Sequence, residues 1–230
     1  MKIIGLIGGT SWASTIDYYR YLNEGINARL GGLEFARCII HSLNFGDIQR
    51  NNEAGDWDGT LTIFIEAAQN LEKSGAAAIM IGANTMHKIA DRLQEKIGIP
   101  IIHIGTVTAE AVVKKGLKKV ALLGTKYTMQ MDFFKDKLSE QHIETIIPGK
   151  EDIKVINDAI YNELSVNIFT PETKKVFLNI METLKNEGVE GIILGCTEIP
   201  MLIKQKDFDL PLFDTTFIHA EAAVNYSLAV

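Results

Sequence analysis

Short aliphatic runs alternate with longer amphipathic runs along the whole chain, and this alternation constrains the fold more than any other feature. Runs of β-branched and aliphatic residues indicate buried strands, whereas longer runs with helical periodicity indicate helices. Strand and helix in turn are typical of parallel sheets built from βαβ units, so the sequence predicts an α/β fold. Strands are predicted near Ile3–Ile7, Ala36–His41, Ala77–Ile81, Pro100–Ile104, Val120–Leu123, Thr145–Ile147, Gly191–Leu194 and Pro211–Phe213. Helices are predicted at Ala13–Leu30, Trp57–Lys73 and Pro171–Asn186.

An internal repeat divides the chain into two similar halves. The matching pairs are Gly8 with Gly124, Ala83 with Cys196, and Pro100 with Pro211, at offsets of 116, 113 and 111 residues. Generic strand-to-helix junctions would explain any one match, but a common order and nearly common spacing favour a repeat. We predict two similar lobes, each a roughly four-stranded parallel sheet flanked by helices, with the active site in the cleft between them.

The composition is that of a globular chain, with 47% of the 230 residues hydrophobic and 23% charged. The net charge is −6 and no basic run occurs, so nucleic acid is not an expected partner. No stretch approaches the roughly 18 apolar residues of a membrane-spanning helix, and we expect neither a signal peptide nor membrane association. Two cysteines, Cys38 and Cys196, are too few for a disulfide framework, which predicts a reducing, cytoplasmic environment.

Ligands of open parallel sheets bind beyond the carboxyl ends of the strands, so the candidate site consists of the residues that follow each strand. These segments are Gly8–Ser14, Asn44–Asn52, Gly82–His87, Gly124–Thr128 and Gly195–Pro200. In the first segment, backbone amides with Thr10 and Ser11 are predicted either to hold a small anion or to form a turn with a helix cap. The second is interpreted as a polar loop, with Arg50, Asn51 and Asn52, that closes on a ligand.

The other strand ends carry neutral hydrogen-bond donors that suit a carboxylate, although ordinary helix capping explains each of them singly. They are Asn84, Thr85, Thr125, Thr128 and Thr197. Cys196 is the reactive candidate, because it follows a strand and precedes a helix N-terminus, a setting that favours the thiolate. Cys38 lies within a strand-like run and is interpreted as an inert core residue.

The five histidines show no metal-binding spacing, and no metal site is predicted. No flavin, nicotinamide or Schiff-base motif occurs, so we expect chemistry on side chains alone, without a cofactor. His87 follows a predicted strand end by a few residues. It is interpreted either as a proton carrier or, more commonly for such a position, as a capping or packing residue.

Several motifs together give the chain a resemblance to the cofactor-independent aspartate/glutamate racemase family. They are Ile4-Gly5-Leu6-Ile7-Gly8-Gly9-Thr10-Ser11-Trp12, Asn84-Thr85-Met86-His87, Leu122-Leu123-Gly124-Thr125-Lys126-Tyr127-Thr128-Met129, Gly195-Cys196-Thr197-Glu198-Ile199-Pro200, and Phe213-Asp214-Thr215-Thr216-Phe217-Ile218-His219-Ala220-Glu221. The resemblance covers nearly the whole chain. It implies two cysteines on opposite sides of a cleft, one removing the α-proton of an amino acid and the other returning a proton, without pyridoxal phosphate.

By this resemblance, Cys196 is one of the two cysteines, and Glu198 looks more like the aspartate-type than the glutamate-type branch. The place of the other cysteine holds Ala83, and Thr85 is the nearby candidate for its role. The implied substrate-binding residues are Thr10, Ser11, Asn52, Asn84, Thr85, Thr125, Thr128, Thr197 and Glu198. Family members usually carry glutamine where this chain has Asn52, which leaves the side-chain specificity open.

Ala83 has no ionisable group, and several readings of it stay open. The chain is either a substituted variant or a natural one-cysteine racemase in which Thr85, His87 or a water serves the empty face. Alternatives are a single-cysteine decarboxylase of the arylmalonate type and a non-catalytic binder of dicarboxylates. The resemblance also implies a homodimer acting on aspartate, glutamate and their D-enantiomers, with a first lobe of 1–98 plus 207–230 and a second of 99–206.

Overall fold

The computed structural model describes residues 1–229, which form two units, each built on a four-stranded parallel sheet. The strands are β1 (Ile4–Gly8), β2 (Cys38–Ser42), β3 (Ala78–Ile81), β4 (Ile101–Ile102), β5 (Lys119–Gly124), β6 (Glu144–Ile146), β7 (Gly191–Gly195) and β8 (Leu212–Asp214). Their order is β2-β1-β3-β4 in one sheet and β6-β5-β7-β8 in the other. The predicted α/β class and all eight predicted strands are confirmed.

Helices connect the strands. The α-helices are α1 (Trp12–Leu30), α2 (Phe45–Glu53), α3 (Trp57–Lys73), α4 (Ala90–Gln94), α5 (Ile104–Lys114), α6 (Lys126–Gln130), α7 (Asp132–Ser139), α8 (Lys150–Asn162), α9 (Pro171–Asn186), α10 (Ile199–Leu202) and α11 (Thr215–Leu228). Short 3₁₀ helices cover Thr85–Ile89, Leu164–Val166 and Gln205–Asp207. The three predicted helices are confirmed to within one residue. Within residues 1–229, no helix has the length and apolar character needed to span a membrane.

The first unit buries both faces of its sheet. On β1, neighbouring residues point to opposite faces, so Leu6 packs with α1 and α11 while Ile7 packs with α3. Tyr18 of α1 and Val224 of α11 lie in the first of these cores, and Phe64 of α3 lies in the second. A helical layer therefore covers each side of the sheet, which leaves the strand ends as the place for function.

The second unit repeats this arrangement around β5. Leu122 packs with α5 and α7, whereas its neighbour Leu123 packs on the opposite side with α8 and α9. Phe134 of α7 and Phe177 of α9 are fully buried in these two cores. The same alternation of faces in both units confirms the repeat.

The domain boundaries differ from the predicted 1–98 plus 207–230 and 99–206. The first unit comprises Met1–His103 and the chain from His219 onward, and the second comprises Ile104–Ile218. The prediction is wrong for both fourth strands, because β4 pairs with β3 in the first sheet and β8 pairs with β7 in the second. Hydrogen bonds along each parallel ladder keep the fourth strand with its own half. Only the helix that follows each strand, α5 or α11, joins the other unit.

A glutamine side chain bonds the backbone at one edge strand of each sheet, at β4 in the first and at β8 in the second. Gln94 donates from Nε2 to the Ile99 carbonyl (3.0 Å) and accepts at Oε1 from the Ile101 amide (2.8 Å). Gln205 donates to the Leu210 carbonyl (3.0 Å) and accepts from the Leu212 amide (2.9 Å). The glutamine and both backbone partners in the first sheet correspond to those in the second at an offset of 111 residues. This is the same offset that relates Pro100 to Pro211. Edge strands need such partners because one side of their backbone lacks a neighbouring strand.

Candidate active site

The turn after β1 is built for a close approach of backbones. Gly9 has a φ of +83°, and a Cβ there would lie 2.1 Å from the Leu43 carbonyl oxygen, so only glycine fits. Its amide donates to Thr15 Oγ1 (2.9 Å), and Ser11 caps α1 by accepting from the Ser14 amide. The interpretation as a turn with a helix cap is confirmed. The alternative, in which the turn amides hold an anion, is wrong for Gly9 because Thr15 occupies its amide.

Thr10 lies in this turn with a buried hydroxyl. The residue is 6% exposed, and its buried Oγ1 has no hydrogen-bond partner among the described residues. A buried hydroxyl without a partner costs free energy, and such groups are uncommon in folded proteins. Thr10 is therefore a predicted substrate residue whose hydroxyl can still form a hydrogen bond with a substrate.

The segment predicted as a polar loop after β2 is helical. Asn44 precedes the first turn of α2, Asp47 lies in that turn and forms an ion pair with Arg50, and Ile48 is fully buried. A single buried apolar side chain and an acidic residue near the N-terminus accompany this short helix. Because Arg50 is tied to Asp47 on the helix surface, the prediction of a loop closing on a ligand is wrong.

Helix α2 carries Asn52 into the interior. This residue is 8% exposed, and its Oδ1 accepts a hydrogen bond from Thr60 Oγ1 of α3 (3.1 Å). The bond orients the amide. The Asn52 side chain therefore has a fixed orientation, which recognition of a substrate group requires. Its assignment as a substrate-binding residue remains a prediction.

The end of β3 carries the segment that resembles the cysteine site of the second half. Ala83 is partly buried and packs against the apolar core of the first unit. Asn84 and Thr85 follow it, both buried, and Thr85 begins a 3₁₀ helix. Nothing in the Ala83 side chain can donate or accept a proton.

The structure favours a packing role for His87. Its ring is 2% exposed, and Nδ1 donates to the Ala83 carbonyl oxygen (2.9 Å). Burial is the main cause that holds the pKa of His87 well below its usual value, and repulsion from His103 adds to it. This neutral ring has the bond of a packing residue, and its role as a proton carrier remains a prediction.

Two strand ends of the second unit lie in contact. Gly124 of β5 and Gly195 of β7 are register partners, and a Cβ on Gly124 would lie 2.7 Å from the Gly195 carbonyl oxygen. Thr125 caps α6 by accepting from the Thr128 amide (3.3 Å), and the hydroxyls of these two threonines are 3.3 Å apart. Both threonines are buried. Their capping role is confirmed, and their assignment to the substrate remains a prediction.

Cys196 follows β7 directly and is held in a buried hydrogen-bonded group. Its Sγ donates to Glu198 Oε2 (3.0 Å), and the same oxygen accepts from Thr197 Oγ1 (2.8 Å). Cys196 is 8% exposed and Glu198 is 3% exposed. The repeat predicted this location, and the thiol and carboxylate form a hydrogen-bonded donor–acceptor pair.

The predicted preference for the thiolate is wrong. Burial raises the pKa of the Cys196 thiol well above its usual value, and the charge of Glu198 raises it further. The following helix, α10, spans only Ile199–Leu202 and offers little dipole against these effects. Cys196 is therefore a thiol at neutral pH. Cys38, at the start of β2, is half-buried and its pKa is also raised by burial.

Sequence reasoning passed over one further strand end, that of β8. Asp214 Oδ1 accepts from the amides of Thr216 and Phe217, and Thr215 Oγ1 donates to the Leu194 carbonyl of the neighbouring strand. The buried hydroxyl of Thr216 has no partner among the described residues. The rule that selected the other strand ends would have selected these residues as well.

Comparison with known proteins gives consistent matches over both units. The family model for Asp/Glu/Hydantoin racemases matches residues 7–223. The broad specificity amino-acid racemase RacX of Bacillus subtilis (strain 168) is 25% identical over 240 aligned positions, which cover 99% of each chain.

Solved structures match the fold along its full length. A crystal structure described as a putative Asp/Glu racemase from Yersinia pestis has a TM-score of 0.93 at 43% identity. An aspartate racemase homologue from Pyrococcus horikoshii OT3 has a TM-score of 0.87 at 36% identity. Both alignments cover 100% of this chain and 100% of the other.

Proposed function

We propose, from the premise that this chain belongs to the Asp/Glu/Hydantoin racemase family, that it moves the α-proton of an acidic amino acid through Cys196. Membership makes the protein an isomerase of the amino-acid racemase class. Beyond family membership, we propose that the substrate is an acidic amino acid, that Cys196 is the acid–base group, and that the reaction acts mainly on one face of the α-carbon. A homodimer and a cytoplasmic location remain predictions.

The observation that carries the proposal is the buried pair of Cys196 and Glu198. A thiol removes a proton from carbon only as thiolate, so its own proton must first go elsewhere. Glu198 Oε2 accepts from the thiol at 3.0 Å, which is within the distance at which a proton is transferred. Thr197 donates to the same oxygen and keeps the carboxylate oriented.

The proton of Cys196 moves to Glu198, and the resulting thiolate takes the α-proton of the bound amino acid. The C–H bond breaks, and its electron pair remains on the α-carbon and is delocalised into the α-carboxylate. Neutral donors around that carboxylate stabilise the developing charge without competing for the proton. We assign this role to the neutral donors among the predicted substrate residues, leaving out Thr197, whose hydroxyl donates to Glu198. Thr10 comes first because its buried hydroxyl has no other partner.

The proton then returns to carbon on one of two faces. Return from Cys196 restores the original enantiomer and leaves a thiolate, which takes its proton back from Glu198. Inversion needs a donor on the other face, and the proton held by Glu198 then goes to the base that this donor becomes. Position 83 holds an alanine, which supplies none. We propose that Thr85 or a water serves this face slowly, so that the protein exchanges the α-proton faster than it inverts the carbon.

The experiment follows the α-proton by NMR in deuterated water. Each enantiomer of aspartate and glutamate is incubated with the protein, and we expect loss of the α-proton signal for at least one. Cys196→Ser should abolish this loss, because a hydroxyl is a far weaker acid than a thiol. Cys38→Ser is the matched control and should leave exchange unchanged.

Three outcomes of this experiment would contradict the proposal. Undiminished exchange in Cys196→Ser would remove this residue from the mechanism. Binding of dicarboxylates without any exchange would favour the non-catalytic binder. Release of carbon dioxide from an arylmalonate, without exchange on amino acids, would favour the single-cysteine decarboxylase.

A further inference from the structure

We propose that His87 and His219 are positioning residues that hold the Ala83–Thr85 segment in the geometry that binds substrate. Together with Tyr18 and His103 they form a cluster in the first unit that we call the histidine clamp. The inference rests on the proposed function, because it takes Asn84 and Thr85 as substrate-binding residues. None of the clamp residues belongs to the acid–base pair described above.

The first link of the clamp joins His87 to the end of β3. A carbonyl oxygen only accepts, so the 2.9 Å contact between Nδ1 and the Ala83 oxygen fixes the proton on Nδ1. Nε2 then carries a buried lone pair, and it has no partner among residues 1–229. The bond closes a loop from Ala83 to His87 that contains Asn84 and Thr85. The His87 amide also donates to the Asn84 carbonyl (3.0 Å), so the side-chain bond is one of two that close this turn, and removing it would loosen the backbone of both substrate residues.

The second link joins His219 of α11 to the end of β4. Nε2 lies 2.7 Å from the Ile102 carbonyl oxygen and therefore donates to it. Nδ1 is then the acceptor for the Tyr18 hydroxyl of α1, at 3.0 Å. Both ring nitrogens are used and the ring is fully buried, so this histidine has one tautomer and one orientation.

Ring contacts connect the two links. The centroids of His87 and His103 are 4.7 Å apart, and those of His87 and His219 are 5.6 Å apart, with interplanar angles of 69° and 70°. Tyr18 packs edge-on against His219 at 5.6 Å. The clamp thus ties the segment after β3 to β4, α1 and α11, which come from distant parts of the chain.

Two histidines of the clamp, His87 and His219, are neutral at physiological pH. Burial lowers the pKa of His219 to about 3 and holds that of His87 well below its usual value. Repulsion from His103 adds to the lowering at His87, and repulsion from His87 adds to it at His219. No group of three His, Cys, Asp or Glu side chains within the described chain is arranged to hold a metal ion. Neutral rings with fixed hydrogen bonds suit a positioning role rather than proton transfer or metal binding.

The test compares two substitutions of His87. His87→Asn keeps an N–H group close to the position of Nδ1, whereas His87→Phe keeps an aromatic ring and loses the donor. We expect His87→Phe to raise KM for α-proton exchange about tenfold, with a smaller change in kcat, and His87→Asn to stay within about threefold of wild type. His142→Asn, the same change at an exposed turn, is the matched control.

Amide hydrogen exchange of the segment 83–87 reports on the clamp without activity. We expect faster exchange in His87→Phe than in His87→Asn. If His87→Phe does not fold, Tyr18→Phe replaces it, and we expect KM to rise about threefold because His219 loses one hydrogen bond.

Equal KM and equal amide exchange in wild type and folded His87→Phe would overturn the inference, as would a His87→Asn variant as impaired as His87→Phe. In the replacement experiment, an unchanged KM and unchanged amide exchange in Tyr18→Phe would overturn it. A wild-type protein without α-proton exchange would instead contradict the proposed function, and the amide measurement would still decide whether the clamp orders the segment.

Discussion

At the scale of single residues, the chemistry depends on the environment of Cys196 more than on its position. The repeat and the strand-end rule located this residue from the sequence, because strand ends are fixed by local hydrophobic pattern. They did not predict its ionisation. Burial and a carboxylate two residues away keep the thiol protonated, and both depend on side-chain packing that no local pattern reveals. The same limit applies to Thr10, whose unpartnered hydroxyl is visible only in the structure.

Replacing Glu198 tests this description of the thiol. In Glu198→Gln the negative charge beside Sγ is lost, so we expect the pKa of Cys196 to fall while burial still holds it above the usual value. The onset of thiolate absorbance near 240 nm should therefore move to lower pH, measured as the difference from the Cys196→Ser variant. Exchange of the α-proton should decrease, since the thiol proton loses its acceptor, by roughly 10²–10⁴. An unchanged titration would show that Glu198 does not act on the thiol.

At the scale of elements, the pattern of apolar runs predicted every strand and the three long helices. It failed at α2, where Ile48 is the only buried apolar residue and most of the other side chains are polar. The predicted lobe boundaries failed for another reason. The repeat pairs Pro100 with Pro211, which places a fourth strand in each half, as the structure has it. The boundaries implied by the family resemblance instead assigned β4 to the second lobe and β8 to the first.

The glutamines at the sheet edges offer a quantitative test of the repeat. Each satisfies one backbone amide and at least one carbonyl, and Gln205 also donates to the Phe208 carbonyl. Gln94→Ala and Gln205→Ala should therefore each lower the free energy of unfolding by about 1–2 kcal/mol. Urea unfolding at equal m-value measures the loss. Gln141→Ala is the control, because that exposed side chain makes no hydrogen bond within the described residues. A loss no larger than in the control would show that water replaces the glutamine at no cost.

At the scale of the whole molecule, the two halves are alike in topology and unlike in chemistry. Each has a four-stranded sheet, a glutamine at its edge strand and a helix that joins the other unit. The strand end after β7 carries a thiol and a carboxylate, whereas the equivalent end after β3 carries Ala83 and neutral donors supported by the histidine clamp. The central claim is that this asymmetry gives proton transfer on one face of the substrate only.

The most direct test measures exchange and inversion together for one enantiomer in deuterated water. We expect the wild-type protein to replace the α-proton much faster than it produces the opposite enantiomer. Both enantiomers have equal free energy in solution, so kcat/KM for inversion must be the same in the two directions. Exchange of the α-proton is not bound by this equality and can be faster than inversion. Ala83→Cys should raise inversion towards exchange by roughly 10²–10⁴, whereas Ala54→Cys, at an exposed alanine, should not. Wild-type inversion that already equals exchange, or an Ala83→Cys variant with unchanged inversion, would contradict the account.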